Sequence, residues 1–308
     1  MNTVSLLIPC YQCAESIEMV LDSALEQSEP FEEIICYVDG SSDNTLDVLL
    51  KYKESKFSRL SIINSVENNG VSYARNRLLE SASCQYVLYQ DSDDPLHPHF
   101  LERMRPHLKK RFVTLCLVEQ QELNGKKVIQ GRKIDKNRET DIEYFISNFH
   151  QLNSVIFDKN FLHKIGGFLE TISQYEDKEI LIRFVLSGGC AWVVPEVLAY
   201  WIKRKGSLMH SQGWKNHNKH LLLMAQNLEP FFQKTEKSVA YRWRLYLSSK
   251  LGMVYYTSGC TAYFKKLQKY VALPEKKVPN LICKVFGYSW YLWIVKIYRN
   301  YFLFLSDK

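Results

Sequence analysis

Up to residue 90 the chain alternates short apolar runs with amphipathic stretches, and this alternation constrains the fold more tightly than any other feature. Residues 4–9, 33–38, 60–64 and 86–90 are runs of strand length, rich in Val, Ile, Leu and Tyr. Between the first two, residues 14–27 place Ile17, Val20, Leu21, Ala24 and Leu25 on one helical stripe, and Pro30 closes it. Residues 45–52 and 71–83 supply two more helices. Strand and helix in strict alternation specify an α/β fold with a mostly parallel sheet flanked by helices.

Such sheets bind ligands at the carboxyl ends of their strands. Pro9, Asp39 and the trio Asp91, Asp93 and Asp94 all fall there. Gly40 allows the turn after Asp39, and Ser42 or Asp43 can cap the next helix. Clustered carboxylates repel one another unless a cation sits among them, and oxygen ligands suit Mg2+ or Mn2+. The alternative is an acidic turn, with Asp94 capping a helix and Pro95 at its first position. Arg75, near the start of its helix, can face the same edge. One guanidinium among carboxylates suits a nucleoside diphosphate. Equally, Asp39 can be a turn aspartate and Arg75 a solvated helix charge or an internal ion-pair partner. Neither a dinucleotide fingerprint nor a P-loop occurs.

Further on, residues 112–118 read as a strand, and Asn124-Gly125 signals a hairpin into 126–130. A polar loop is expected up to residue 138, a helix over 141–149 and a strand over 151–157. A short helix over 161–165 is closed by Gly166-Gly167. Glu176 and Asp177 precede a helix over 179–187 whose Ile180, Leu181 and Phe184 face inward. Acidic residues there complement the helix dipole, or place a carboxylate to take a proton from a hydroxyl. Strands over 191–194 and 197–202 complete the sheet.

Charge is unevenly placed. Residues 203–308 carry 19 Lys and Arg against four Asp and Glu, a net +15, and the first 202 residues carry a net −8. The basic third implies an anionic partner. Helices are expected over 217–232, 239–256 and 281–305, the last dense in Trp, Tyr and Phe. Its uncharged run, 285–295, is too short to span a bilayer, and its flanking Lys and Arg suit an interfacial helix. A helical cap on the catalytic domain is the alternative, and a nucleic-acid partner is not expected. The N-terminal run lacks the pattern of a signal peptide. Eight cysteines without a disulfide framework suit a reducing cytosol. Cys10 and Cys13 have redox spacing, but also read as two half-buried thiols.

The motifs VSLLIPCYQ, VDGSSDNT, NNGVSYARN, YVLYQDSDD, KIGGF and YEDKEILIRF occur in this order. Together, over residues 3–208, they resemble the family 2 glycosyltransferases, which have a Rossmann-like GT-A fold. The resemblance implies a catalytic domain over 1–208 and a helical, basic extension over 209–308. It implies that Pro9 and Asp39 line the nucleotide site, Asp39 contacting the base, and that Arg75 contacts the base or diphosphate. Asp91 and Asp93 would form the D-x-D that holds ribose and Mn2+ or Mg2+. Asp177 would be the catalytic base, with Glu176 beside it. Gly206-Ser207 resembles a loop closing over the donor, where Lys203, Arg204 and Lys205 neutralise the leaving diphosphate. The implied reaction is a metal-dependent, inverting transfer from a nucleotide sugar, with a UDP-sugar as the commonest case, to a glycan or lipid-linked saccharide. The implied setting is bacterial surface-polysaccharide assembly, in the cytoplasm and peripheral to an anionic membrane surface.

The chain departs from the pattern in three places. Val38 precedes Asp39 where a second acidic residue is usual. Ile202 stands where an Arg is expected, and Cys10 and Cys13 replace small or amide residues. Q-x-x-R-W is absent, which argues against a processive polymerase. Two other functions compete. One is a non-catalytic carbohydrate- or membrane-binding protein on a decayed transferase scaffold. The other is a haloacid-dehalogenase-like phosphatase with Asp91 as nucleophile, which leaves Asp39, Arg75 and Glu176-Asp177 unexplained.

Overall fold

The structure is a computed structural model of the 308-residue chain. It describes residues 2–130, 138–148, 150–203 and 213–258, together with 266 and 270. The chain divides into two compact units, Met1–Ser207 and Leu208–Lys308.

The first unit is built on a nine-stranded sheet. Its parallel half contains β1 (Val4–Cys10), β2 (Glu33–Asp39), β3 (Ser61–Ser65) and β4 (Tyr86–Tyr89), in the order β3-β2-β1-β4. Register aligns Cys10 with Val38, Asp39 with Ser65, and Leu7 with Tyr89, so the strands end along one edge. The connecting helices are α1 (Ile17–Leu25), α2 (Thr45–Ser55) and α3 (Val71–Ser81), as the alternation requires. α1 buries Ile17, Val20, Leu21 and Ala24 against β1, whose Val4, Leu6, Leu7 and Ile8 are fully buried. Each Val, Leu and Ile side chain among these contributes about 1.5–3 kcal/mol by leaving water. Leu25, expected on the same stripe, is exposed. It is the last residue of the helix, where the stripe has rotated off the core.

Beyond β4 the sheet changes direction. β8 (Val155–Asp158) runs antiparallel to β4, and β5 (Phe112–Gln121) antiparallel to β8. β9 (Cys190–Ile202) is parallel to β5, and β7 (Arg138–Thr140) closes the far side. β6 (Lys127–Gln130) pairs with β5 through the expected Asn124-Gly125 hairpin. Because β8 is antiparallel, its amino end and the turn Leu152–Ser154 reach the edge where β4 finishes.

Several expected boundaries change. The two strands over 191–194 and 197–202 are one, since β5 and β9 stay paired across a register shift near Pro195 and Glu196. A bulge absorbs the proline without breaking the strand. Residues 152–154 form a 3-10 turn, and β8 starts only at Val155. Of the polar loop expected up to residue 138, residues 131–137 lie outside the described residues, and Arg138 begins β7. The described residues of the unit also include the helices α4 (Phe100–Met104), α5 (Ile142–Ser147), α6 (Lys159–Lys164) and α7 (Glu176–Leu186). Asp141 and Asp158 cap α5 and α6 by accepting from Tyr144 N and Phe161 N. α6 ends at Gly166 and Gly167, both with positive φ.

In the second unit α8 (Gly213–Phe232) and α9 (Lys237–Ser258) pack together, with Trp243 stacked on Phe232 at 4.8 Å and Arg244 paired with Glu229 at 2.9 Å. No helix among the described residues is long and apolar enough to cross a membrane. The aromatic stretch 281–305, Arg204, Lys205 and Gly206-Ser207 lie outside the described residues.

Candidate active site

The carboxyl edge is assembled from loops that tie each other down. After β1, the Gln12 amide donates to Ser41 Oγ at 3.1 Å and its side chain to Ser42 Oγ at 2.7 Å. Cys13 N donates to Thr45 Oγ1 and Ala14 N to Asp43 Oδ2. Asp43 also accepts from Thr45 N and Oγ1 and so braces the start of α2, but the cap position is Asn44, whose side chain makes no capping bond, so neither Ser42 nor Asp43 is the cap. Gln12 is left-handed, with φ 52°, which turns the chain out of β1. Tyr11, just before it, is 40% exposed, and Pro9 is half-buried. Cys10 and Cys13 are free thiols buried beneath this loop.

Asp39 lies 3% exposed at the end of β2. Its two oxygens accept from Asn69 N at 2.9 Å and Gly70 N at 2.8 Å, at the entrance to α3. The carboxylate therefore satisfies amides that a helix start leaves open. Gly40 has φ +63°, and a Cβ there would stand 2.4 Å from Asn68 N. Only glycine permits this approach of the two loops.

Arg75 is the centre of the second acidic group. It is 5% exposed on the inner face of α3. One Nη donates to Glu176 Oε1 at 2.9 Å and the other to Asp91 Oδ1 at 3.3 Å, and the guanidinium lies over the Phe168 ring at 5.6 Å. The solvated alternative for Arg75 is thus excluded. Asp91 keeps 36% of its side-chain surface open, yet is set deep among protein atoms. Burial raises its pKa against the pull of Arg75, and the Asp93 and Glu176 charges add to the rise.

Asp177 stands at the second position of α7, after Tyr175, whose backbone is left-handed at φ 66°. Its Oδ1 accepts from Lys178 N at 2.6 Å. Burial first, and the Glu176 charge second, push its carboxyl up to about 7, against the Lys178 amide, Arg75 and the Lys178 ammonium. A carboxyl poised near neutrality is suited to proton transfer.

Asp94 is not a helix cap: α4 begins only at Phe100. The Asp94 carboxylate, 2% exposed, accepts from Ile202 N at 2.8 Å and so fastens the end of β9 to the turn after β4. That partner lies far along the chain, out of reach of local pattern. Asp91 and Asp93 remain as oxygen donors for a cation, and no cluster of three or more ligating side chains occurs among the described residues. Two carboxylates that repel each other suit a Mg2+ or Mn2+ ion that takes its other oxygens from a substrate diphosphate.

Other contributors escaped the sequence pattern. Lys178 is buried, and its ammonium donates to the carbonyls of Phe145, Ile146 and Asn148 at 3.0, 2.9 and 3.1 Å, which locks α7 to the end of α5. Arg183 joins Glu179 at 2.7 Å and grips the Ile165 carbonyl. Asn76 exchanges hydrogen bonds with the backbone of Phe168. Along the turn before β8, His150 Nε2, Gln151 Oε1 and Asn153 Oδ1 are buried without a protein partner. Such polar atoms are rare in folded chains and call for an explanation. Their one signal in the sequence was a polar quartet just before an apolar strand.

A model of the family described as Glycosyl transferase family 2 matches residues 5–168, just over half the chain. The poly(ribitol-phosphate) beta-glucosyltransferase of Bacillus spizizenii is 31% identical over 141 residues, 45% of this chain and 22% of that protein. The UDP-Glc:alpha-D-GlcNAc-diphosphoundecaprenol beta-1,3-glucosyltransferase WfaP of Escherichia coli is 37% identical over 97 residues, 30% of this chain and 36% of that protein. The matched stretch thus spans well under half of either relative. Among solved structures, S. aureus TarS 1-349 in complex with UDP-GlcNAc superposes with a TM-score of 0.65 at 19% identity, over 97% of this chain and 92% of that one. The mannosyltransferase PcManGT from Pyrobaculum calidifontis, in complex with GDP-Man and Mn2+, gives 0.63 at 15%, over 95% and 84%. These likenesses are of fold, and they match the α/β architecture expected from the motifs. With the family model covering the sheet edge that carries Asp39, Arg75, Asp91 and Asp93, the chain belongs to the family 2 glycosyl transferases.

Proposed function

We propose that the chain transfers a sugar from a nucleotide diphosphate sugar, a UDP-sugar in the first instance, to a hydroxyl of a glycan or lipid-linked saccharide, with inversion. The observation that carries this reading is the chain of contacts from Asp91 through Arg75 to Glu176, ending at an Asp177 carboxyl held near 7. WfaP, by its name, uses UDP-Glc on a diphosphoundecaprenol-linked sugar, and TarS binds UDP-GlcNAc, which supports the donor and acceptor classes.

In this reading Asp177 Oδ2 takes the proton of the acceptor hydroxyl as that oxygen attacks the anomeric carbon, and one displacement inverts it. Arg75 keeps Glu176 and Asp91 apart and oriented, and adds positive potential beside the diphosphate. Asp91 and Asp93 would hold a Mn2+ or Mg2+ ion, which would supply positive charge against that developing on the leaving diphosphate. Pro9 and the exposed ring of Tyr11 line the nucleotide side, and Asp39 shapes the loop against which the base lies. Arg204 sits in the segment assigned to closing over the donor. The basic C-terminal third holds the enzyme on the anionic cytoplasmic face of a membrane.

Calorimetric titration with UDP, GDP and dTDP, each with and without Mn2+, tests the donor class. Metal-dependent binding of one nucleotide is expected. Binding of none by the folded protein overturns the assignment. Asp177→Asn then separates an enzyme, which loses turnover but keeps donor binding, from a binding protein, which loses nothing.

A further inference from the structure

At the opposite edge of the sheet, by the amino end of β4, lies a cavity of about 380 Å³ that the transfer reaction does not use. Lys110, Arg111, Lys164 and Asp158 line it, with Asn160 and the Phe161 ring. Asp158 offers no free counter-charge: Oδ1 accepts from Phe161 N at 3.1 Å and Oδ2 from Arg111 N at 2.6 Å. Among the described residues no carboxylate pairs with Lys110, Arg111 or Lys164 by a side-chain contact. The cavity wall therefore carries three cations and one committed carboxylate, a net excess of two positive charges.

Arg111 is also fixed in place. Its backbone is left-handed at φ 63°, a conformation that non-glycine residues rarely keep. Three contacts hold it there: its N on Asp158, its carbonyl accepting from Cys190 N at 2.8 Å, and its Nη2 on the Gly188 carbonyl at 2.5 Å. A Cβ at Gly188 would stand 2.9 Å from that Nη2, so a glycine there leaves room for the guanidinium. The guanidinium spans the Phe161 ring at 5.2 Å. A guanidinium fixed against one neutral acceptor keeps its other N–H groups for a bidentate anion, while the two lysines act as mobile point charges.

We propose that this cavity binds a phosphate ester, whose charge matches the excess of the lining and whose organic part has room in the remaining volume. The site does not depend on the transfer reaction. The test titrates the full chain calorimetrically with sodium phosphate against sodium chloride, and in parallel sediments it with phosphatidylglycerol or phosphatidylcholine vesicles. The variant is Lys110→Ala/Lys164→Ala; both side chains are exposed, and an unchanged thermal melt confirms the fold. Saturable phosphate binding that weakens at least about tenfold in the variant, without a vesicle effect, identifies a soluble phosphate ester. Sedimentation with phosphatidylglycerol that the variant loses, and that free phosphate competes away, identifies a lipid headgroup. Either result supports the site. Absence of both interactions in the parent chain, or binding equally strong in the variant, overturns it.

Discussion

Two acidic stations share one sheet edge and are treated in opposite ways. At Asp39 the carboxylate is consumed internally: both oxygens take backbone amides at the start of α3, and the loop around Gly40 closes on them. At Asp91, Glu176 and Asp177, three carboxylates converge on one guanidinium, which pairs directly with the first two, and the third titrates near 7. The first arrangement is satisfied, and the second is short of positive charge. A charge deficit held open by the fold is what a cationic group or a proton-bearing substrate can fill, whereas a satisfied cap serves geometry.

The comparison breaks most sharply at Asp177. Asp177→Asn is expected to lower kcat by about 10²–10⁴ while UDP affinity stays within about twofold, read by single-turnover and binding assays. Comparable loss of both would make Asp177 a structural residue. The same change should stabilise the protein. A carboxyl raised to about 7 favours the folded state below the unfolded value near 4, and that contribution is lost as pH rises through 7. At pH 8 the Asn variant should gain on the order of 1–3 kcal/mol, discounted for partial exposure, visible as a higher Tm. The parent kcat/KM should rise with pH along a limb centred near 7, and the variant should lack that limb.

Arg75→Ala comes next. It strands Glu176 and Asp91, and the unfolding free energy should fall by about 3–5 kcal/mol, more steeply at pH 8 than at pH 5. Asp93→Ala, which leaves the Arg75 pair intact, should weaken Mn2+-dependent nucleotide binding about tenfold or more with little change in Tm. The smallest effect belongs to the satisfied station. Asp39→Asn leaves one acceptor oxygen for two amides and should cost about 1–2 kcal/mol in stability, with nucleotide affinity following the loop. An effect on affinity without one on stability would show that Asp39 meets the ligand directly.

The parallel half was legible because its signals are local. Strand length, helical stripe and glycine turn each fit within a dozen residues, and β1 to β4 follow them closely. Long-range partners were not legible. Nothing near Arg75 announces Glu176, and nothing near Asp94 announces Ile202; only the sheet brings them together. Pro195 suggested a break in β9 that pairing with β5 overrides. Nothing near Lys178 announces its three carbonyl acceptors, which lie on α5 and on Asn148 just after it.

That lysine has a consequence in time as well as in space. An ammonium anchored to two carbonyls of α5 and to that of Asn148 at its end ties the first turn of α7 to a neighbour that has its own aspartate cap. The two helix ends open together or not at all, so their amides should exchange with deuterium as a single slow unit. Breathing that admits a substrate then falls to the surrounding loops, and the residue next to Lys178 keeps its orientation between turnovers.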